Sequence, residues 1–146
     1  MSAERRSDFR RLVLRSVSVW LVVIAAEIIH GIVRAIMLAP LVGQFRSDQI
    51  GVLTGSMIIL LIAYLSAGWL AAESLGKQLL VGAIWVAFTV AFELTFGIFV
   101  LGLPWREIAA SYDVTRGGLM PLGLLLMFLA PTIAARWHGK RRHTGK

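Results

Sequence analysis

The chain has 146 residues, of which 58% are hydrophobic and only 16% charged, with a formal net charge of +7 and a mean hydropathy of +0.77. Soluble domains usually carry about 25% charged and about 45–50% apolar residues, so this balance excludes a water-soluble core and points to an integral membrane protein. With no cysteine, the chain can form no disulfide, thiolate nucleophile, iron–sulfur cluster or Cys-type zinc site.

Residues 1–11 open the chain as a basic segment, and up to residue 15 five arginines face only Glu4 and Asp8, a balance of +3. Residues 136–146 hold five basic side chains and no acid, a balance of +5, and everything between comes to −1. Basic ends that flank long apolar segments fix orientation, because Lys and Arg stay on the cytoplasmic side. Both termini are therefore expected in the cytoplasm of a bacterial-type cell, with the protein in its inner membrane. The first apolar stretch is too long for a cleavable signal peptide and is expected to remain as an anchor.

An α-helix needs about 20 apolar residues to cross a hydrocarbon core of about 30 Å. Four segments reach that length: 12–39, 50–72, 79–103 and 119–137. None alternates with period two as barrel strands do. The predicted fold is an all-α membrane protein, an up-down bundle of four transmembrane helices joined by short loops. The domain plan is a basic N-terminus (1–11), a four-helix domain (12–137) and a basic cytoplasmic tail (138–146).

The first helix carries Glu27, His30 and Arg34 at spacings of three and four, which places them within about 60° of arc on one face. Pro40 is expected to stop this helix, and 41–49 to form a loop. The second helix opens with Gly51-x-x-x-Gly55, a pattern that lets helices approach closely. The third carries Ala83-x-x-x-Ala87-x-x-x-Ala91 on one face, with Gly82, Thr89, Glu93 and Gly97 on a neighbouring one interrupted by Val86. Glu27 and Glu93 fall at similar depth, just beyond the midplane. A lone charge in hydrocarbon costs at least about 2.5–3.5 kcal/mol, so these groups should face inward and neutralise one another. Arg34 is expected to pair with Glu93 or Glu27, leaving His30 to the other carboxylate.

Residues 104–118 follow, with Trp105, Arg106, Tyr112, Asp113 and Arg116 around an apolar stripe. They read as a short interfacial amphipathic helix, a lid over the cluster or a plain connector, with Asp113 and Arg116 as an i,i+3 pair. Gly117 and Gly118 turn the chain into the fourth helix, where Pro121 suits the first turn and Pro131 should bend the span. Ala130-x-x-x-Ala134 offers a further close-packing seam. Trp20, Trp69, Trp137 and Trp105 are expected at the interfaces; Trp85 lies deeper and has no assigned role.

Besides a partner-binding surface in which these charges meet another subunit, two readings of the Glu27, His30, Arg34 and Glu93 cluster compete. One is a clasp that fixes helix register in a non-catalytic subunit or assembly factor. The other is a polar pocket that binds or transports a small polar solute or protons, since intramembrane ionisable groups mark functional sites. Glu27-x-x-His30 matches the spacing of carboxylate-bridged di-metal bundles, but the adjacent Arg34 disfavours a cation there, and no metal or other cofactor is expected. No nucleophile arrangement points to an enzyme. The expected partners are the lipid bilayer, an unidentified small molecule, and a second copy or a larger membrane complex. Neither tail is long enough to be a nucleic-acid reader.

Overall fold

A computed structural model describes residues 3–144, with side chains for 5–139; the tail residues Lys140, Arg141, Arg142, His143 and Lys146 fall outside the described side chains. The described residues form helices with no strand. In chain order these are α1 (Ala3–Val33), α2 (Ala39–Val42), α3 (Gln44–Leu70), α4 (Leu75–Thr95), α5 (Trp105–Tyr112) and α6 (Met120–Thr144). Four stretches are long and apolar enough to cross a membrane: Arg5–Val42, Gln44–Leu70, Leu75–Val100 and Met120–Gly139. Most large apolar side chains along them, such as Leu21, Ile36, Leu65 and Phe99, are exposed, as suits a surface solvated by lipid rather than water.

α1 packs on α3 and α4, and α6 packs on the same two, so α1 and α6 face each other across one diagonal and α3 and α4 across the other. Trp20 meets Thr89 and Trp85 meets Ser16, so α1 and α4 run parallel. Glu27 lies by Gly55 while Arg15 lies over Trp69, so α1 and α3 are antiparallel. Gly68 sits by His138 and Gly123 by Val52, so α3 and α6 are parallel. The order is up-down, but the short connection after Leu70 carries the chain across a diagonal instead of to an adjacent helix. Arg15, Trp69 and His138 thus mark one end of the bundle, called here the near end. Pro40, Gly43 and Pro104 mark the far end.

The first helix does not stop at Pro40. It passes through a π-helical turn (Arg34–Leu38) into α2 and ends only at Val42. Within this turn the Ala39 N–H reaches the Arg34 carbonyl, one residue farther than in an α-helix. Widening the turn just before the proline accommodates a ring that would otherwise meet the preceding coil. The third span ends similarly, with a π turn at Phe96–Val100 ahead of Pro104. Gly43 is the single residue between α2 and α3, at φ +83° and ψ 156°, a conformation open only to glycine. The segment expected as a loop at 41–49 is therefore mostly helix. α3 is capped at its end by Ala71, and Ser74 starts α4 by accepting from the Lys77 N–H at 3.3 Å.

The core lies toward the near end. Trp85 is fully buried and donates its indole N–H to the Ser16 carbonyl at 3.0 Å. Trp20 is not at an interface but in the core, donating to the Thr89 hydroxyl at 3.0 Å. Its ring turns into the bundle because residue 20 lies on the face of α1 that packs against α4. Trp69, Trp105 and Trp137 are exposed. Of the small-residue patterns, Ala130 and Ala134 are buried, as are Gly51 and Gly55. Ala83, Ala87 and Ala91 face outward, and the interrupted stripe of Gly82, Thr89 and Gly97 packs inward. A methyl group at Gly82 would stand 2.0 Å from the Phe128 carbonyl oxygen, so glycine there permits the α4–α6 contact. Pro131 lies inside a continuous α6.

Candidate functional site

The far half of the bundle is looser than the near half, and a cleft of about 640 Å3 opens there, with a wall more apolar than polar. All four spans border it, together with the segment around Glu107–Leu119. Glu27, His30 and Arg34 reach it from the first span because the i, i+3, i+7 spacing repeats the helical turn. Glu93 reaches it from α4.

The four residues expected to neutralise one another border one cleft but do not form one network. His30 Nδ1 lies 3.4 Å from Glu27 Oε2, and its Nε2 lies 2.8 Å from the Thr54 hydroxyl on α3. The Thr54 hydroxyl is also 2.9 Å from the Ile50 carbonyl. This chain holds its contacts at two protonation levels. When the hydroxyl donates to Ile50, Nε2–H donates to Thr54 and a proton lies between Nδ1 and Oε2. When the hydroxyl donates to Nε2, Nδ1–H donates to the Glu27 carboxylate. Glu27 Oε1 is buried and has no hydrogen-bond partner among the described residues.

Arg34 pairs with neither glutamate, contrary to expectation. Its guanidinium donates to the Asp48 carboxylate and, at 3.2 Å, to the fully buried Ser47 hydroxyl. Gln44 Nε2 donates to the same Asp48 oxygen at 2.9 Å. The reason is local. Helix α3 begins at Gln44, so Ser47 and Asp48 stand in its first turns directly opposite the end of α1. Because 44–49 is helix and not the loop expected at 41–49, Arg34 finds a carboxylate at Asp48 and needs neither glutamate. Glu93 instead accepts from the Tyr112 hydroxyl at 3.4 Å.

The glycines of α3 make room for these side chains rather than for another backbone. A methyl at Gly55 would lie 2.8 Å from Glu27 Oε2, and one at Gly51 would lie 2.6 Å from Arg34 Cδ. Gly31 is different: it lines the cleft, and nothing stands within 4 Å of where its side chain would begin.

The segment read as a lid divides. α5 buries Ile108 against Gly97, and Arg116 borders the cleft while forming an ion pair with Asp113 at 3.3 Å. The Thr115 hydroxyl donates to Asp113 at 2.6 Å and is the main cause of that carboxyl lying below its ordinary value. Burial, and then the neighbouring Glu93, push the Tyr112 phenol from 10.0 up to about 12. Trp105 is exposed and, like Arg106, does not border the cleft. Glu107, a charged residue of the segment read as a lid, also borders it, whereas Asp48 and Thr54 line or support it and were not singled out from sequence. Among the described residues no three His, Asp or Glu side chains converge as a metal-ligand set. Compared with protein-family models, characterised proteins and solved structures, the chain shows no match.

Proposed function

We propose that this chain is a small polytopic protein of a bacterial-type inner membrane, with both termini cytoplasmic, whose far-half polar pocket binds or passes a small polar solute or protons. The observation that carries the reading is the Glu27–His30–Thr54 chain bordering the cleft. It keeps its hydrogen bonds whether or not one further proton is present, which is what a relay requires. Glu93 stands as a second carboxylate on the same wall, steadied by Tyr112. Glu27 and His30 exchange the proton; Arg34, already satisfied by Asp48, holds the first two spans together.

The test is proton movement in vesicles reconstituted with the full chain and an internal pH dye. The expected result is a flux reduced at least about tenfold, the scale of losing a proton-transfer group, by Glu27→Gln or by His30→Gln, with helicity and unfolding temperature maintained. A flux unaffected by both substitutions, or absent from the parent chain, overturns the relay.

A second reading, a non-catalytic integral subunit or assembly factor, is favoured by a different observation. Ala83, Ala87 and Ala91 present a smooth outward face on α4 that another helix could approach closely. In that reading the Arg34–Asp48 pair is a clasp and nothing turns over. Purification in mild detergent separates the two: a stoichiometric membrane partner together with no proton flux supports the subunit.

A further inference from the structure

We infer that the occupant of the cleft is an organic cation with a large apolar body, rather than an anion or a metal ion; the inference deepens the proposed binding reading and rests on it. Three observations converge. The first is charge. Glu27, Asp48, Glu93 and Glu107 border the cleft against two guanidiniums, Arg34 and Arg116, and the His30 imidazole. Both guanidiniums are already spent, on Asp48 and Asp113 respectively. Among the described residues an anionic headgroup would find no guanidinium without a carboxylate partner, and His30 is held between Glu27 and Thr54, whereas Glu27 keeps a buried oxygen with no hydrogen-bond partner. His30 meets only the other oxygen of Glu27, and a buried polar atom without a partner is costly, so the open oxygen favours a positive group.

The second observation is the wall itself. It is more apolar than polar, and its volume of about 640 Å3 is typical of sites for drug-sized molecules. Such a wall stabilises hydrocarbon rather than a hydrated ion. The ring of Phe92, stacked on Phe96 with centroids 5.4 Å apart, lies on it one residue before Glu93, and aromatic faces attract cations. The third is the donor set. Hard metal ions need six or more converging oxygens or several retained waters; the described carboxylates and imidazole do not cluster in threes.

Tetraphenylphosphonium and tetraphenylborate test this directly, because they share a shape and differ in the sign of their charge. The full chain in detergent is dialysed to equilibrium against each, with the micelle contribution taken from protein-free detergent. The expected result is saturable retention of the phosphonium and none of the borate. Glu27→Gln and Glu93→Gln should each weaken phosphonium binding by about tenfold or more, the scale of removing one member of a desolvated charge pair. Gly31→Leu keeps every charge but fills the open space beside Gly31, and should abolish retention while the helices stay folded. Equal retention of both probes, or phosphonium retention unchanged in both glutamate variants, overturns the inference. Glu27-dependent proton flux in vesicles without phosphonium retention overturns the organic cation alone and leaves the relay standing. Loss of both flux and retention removes the binding reading with it.

Discussion

Trp85 joins α1 to α4 through one indole N–H on a backbone carbonyl at 3.0 Å, in a place with no solvent exposure. Trp85→Phe removes that donor and shrinks the ring, and should cost about 2–3 kcal/mol, a hydrogen bond plus a partly relaxed cavity. Unfolding in mixed micelles measures it, and a cost below about 0.5 kcal/mol, half that of a usual hydrogen bond, would mean that neither the donor nor the lost ring volume holds the contact. Gly82→Ala is the overpacking counterpart. Its new methyl would fall 2.0 Å from the Phe128 carbonyl, so α6 must move, at about 1–3 kcal/mol or more. Tyr112 gives a residue-level pH prediction. Its phenol ionises near 10.0 in an ordinary setting and near 12 here, chiefly through burial. The folded state therefore holds this proton more tightly than the unfolded chain, so the contribution is intact below about 10 and is lost as pH rises toward 12. Stability measured across that window should fall in the parent chain and stay flatter in Tyr112→Phe.

At the scale of helices, what could be read from sequence depended on whether a residue's neighbours lie on its own helix. The four spans follow from apolar length alone, and Glu27, His30 and Arg34 share a face because 3.6-residue periodicity puts them there. Asp48 as the partner of Arg34 was not legible. Pro40 and the polar run from Gln44 to Gln49 imitate a loop, and only the π turn and Gly43 reveal that helix continues on both sides. The regular Ala83, Ala87, Ala91 stripe was likewise less informative than the broken one beside it, because packing rewards a glycine placed opposite a carbonyl rather than an unbroken repeat. The Arg34–Asp48 link should show a modest coupling in a double-mutant cycle with Arg34→Gln and Asp48→Asn. Asp48 is 52% exposed and Arg34 22%, so solvent screening holds the coupling to about 1 kcal/mol or less. The absence of cysteine makes the alanine face easy to probe. Spin labels on Ala87→Cys should be accessible to oxygen, which concentrates in lipid, while Val81→Cys should be protected because Val81 is fully buried. Protection at position 87 would show a partner helix covering that face and would favour the subunit reading.

For the whole molecule, the direction in which the cleft faces depends on charge that lies outside it. Residues 1–15 and 136–146 contribute five basic side chains each and Lys77 adds one, whereas the far end has Arg46, Arg106 and Arg116. Near-end placement of the first and last spans follows from the contacts of Arg15 with Trp69 and of His138 with Tyr64, so the two basic ends act on the same side. Under the proposed orientation, with Lys and Arg retained in the cytoplasm, Gly43 and α5 are expected outside and the cleft in the outer half of the bilayer. Single cysteines at Gln44, at the far-end start of α3, and at Gly76, at the near-end start of α4, report this through an impermeant maleimide applied to intact cells. The expected pattern is labelling of Gln44→Cys from outside and of Gly76→Cys only after permeabilisation. Replacing Arg5, Arg6, Arg10 and Arg11 by Ala should leave the pattern unchanged, because the basic residues of 136–146 lie downstream of a span that ends on the same side. The reverse labelling would turn Glu27 and Glu93 toward the cytoplasmic half, so that any cation or proton reaching them would enter from inside the cell.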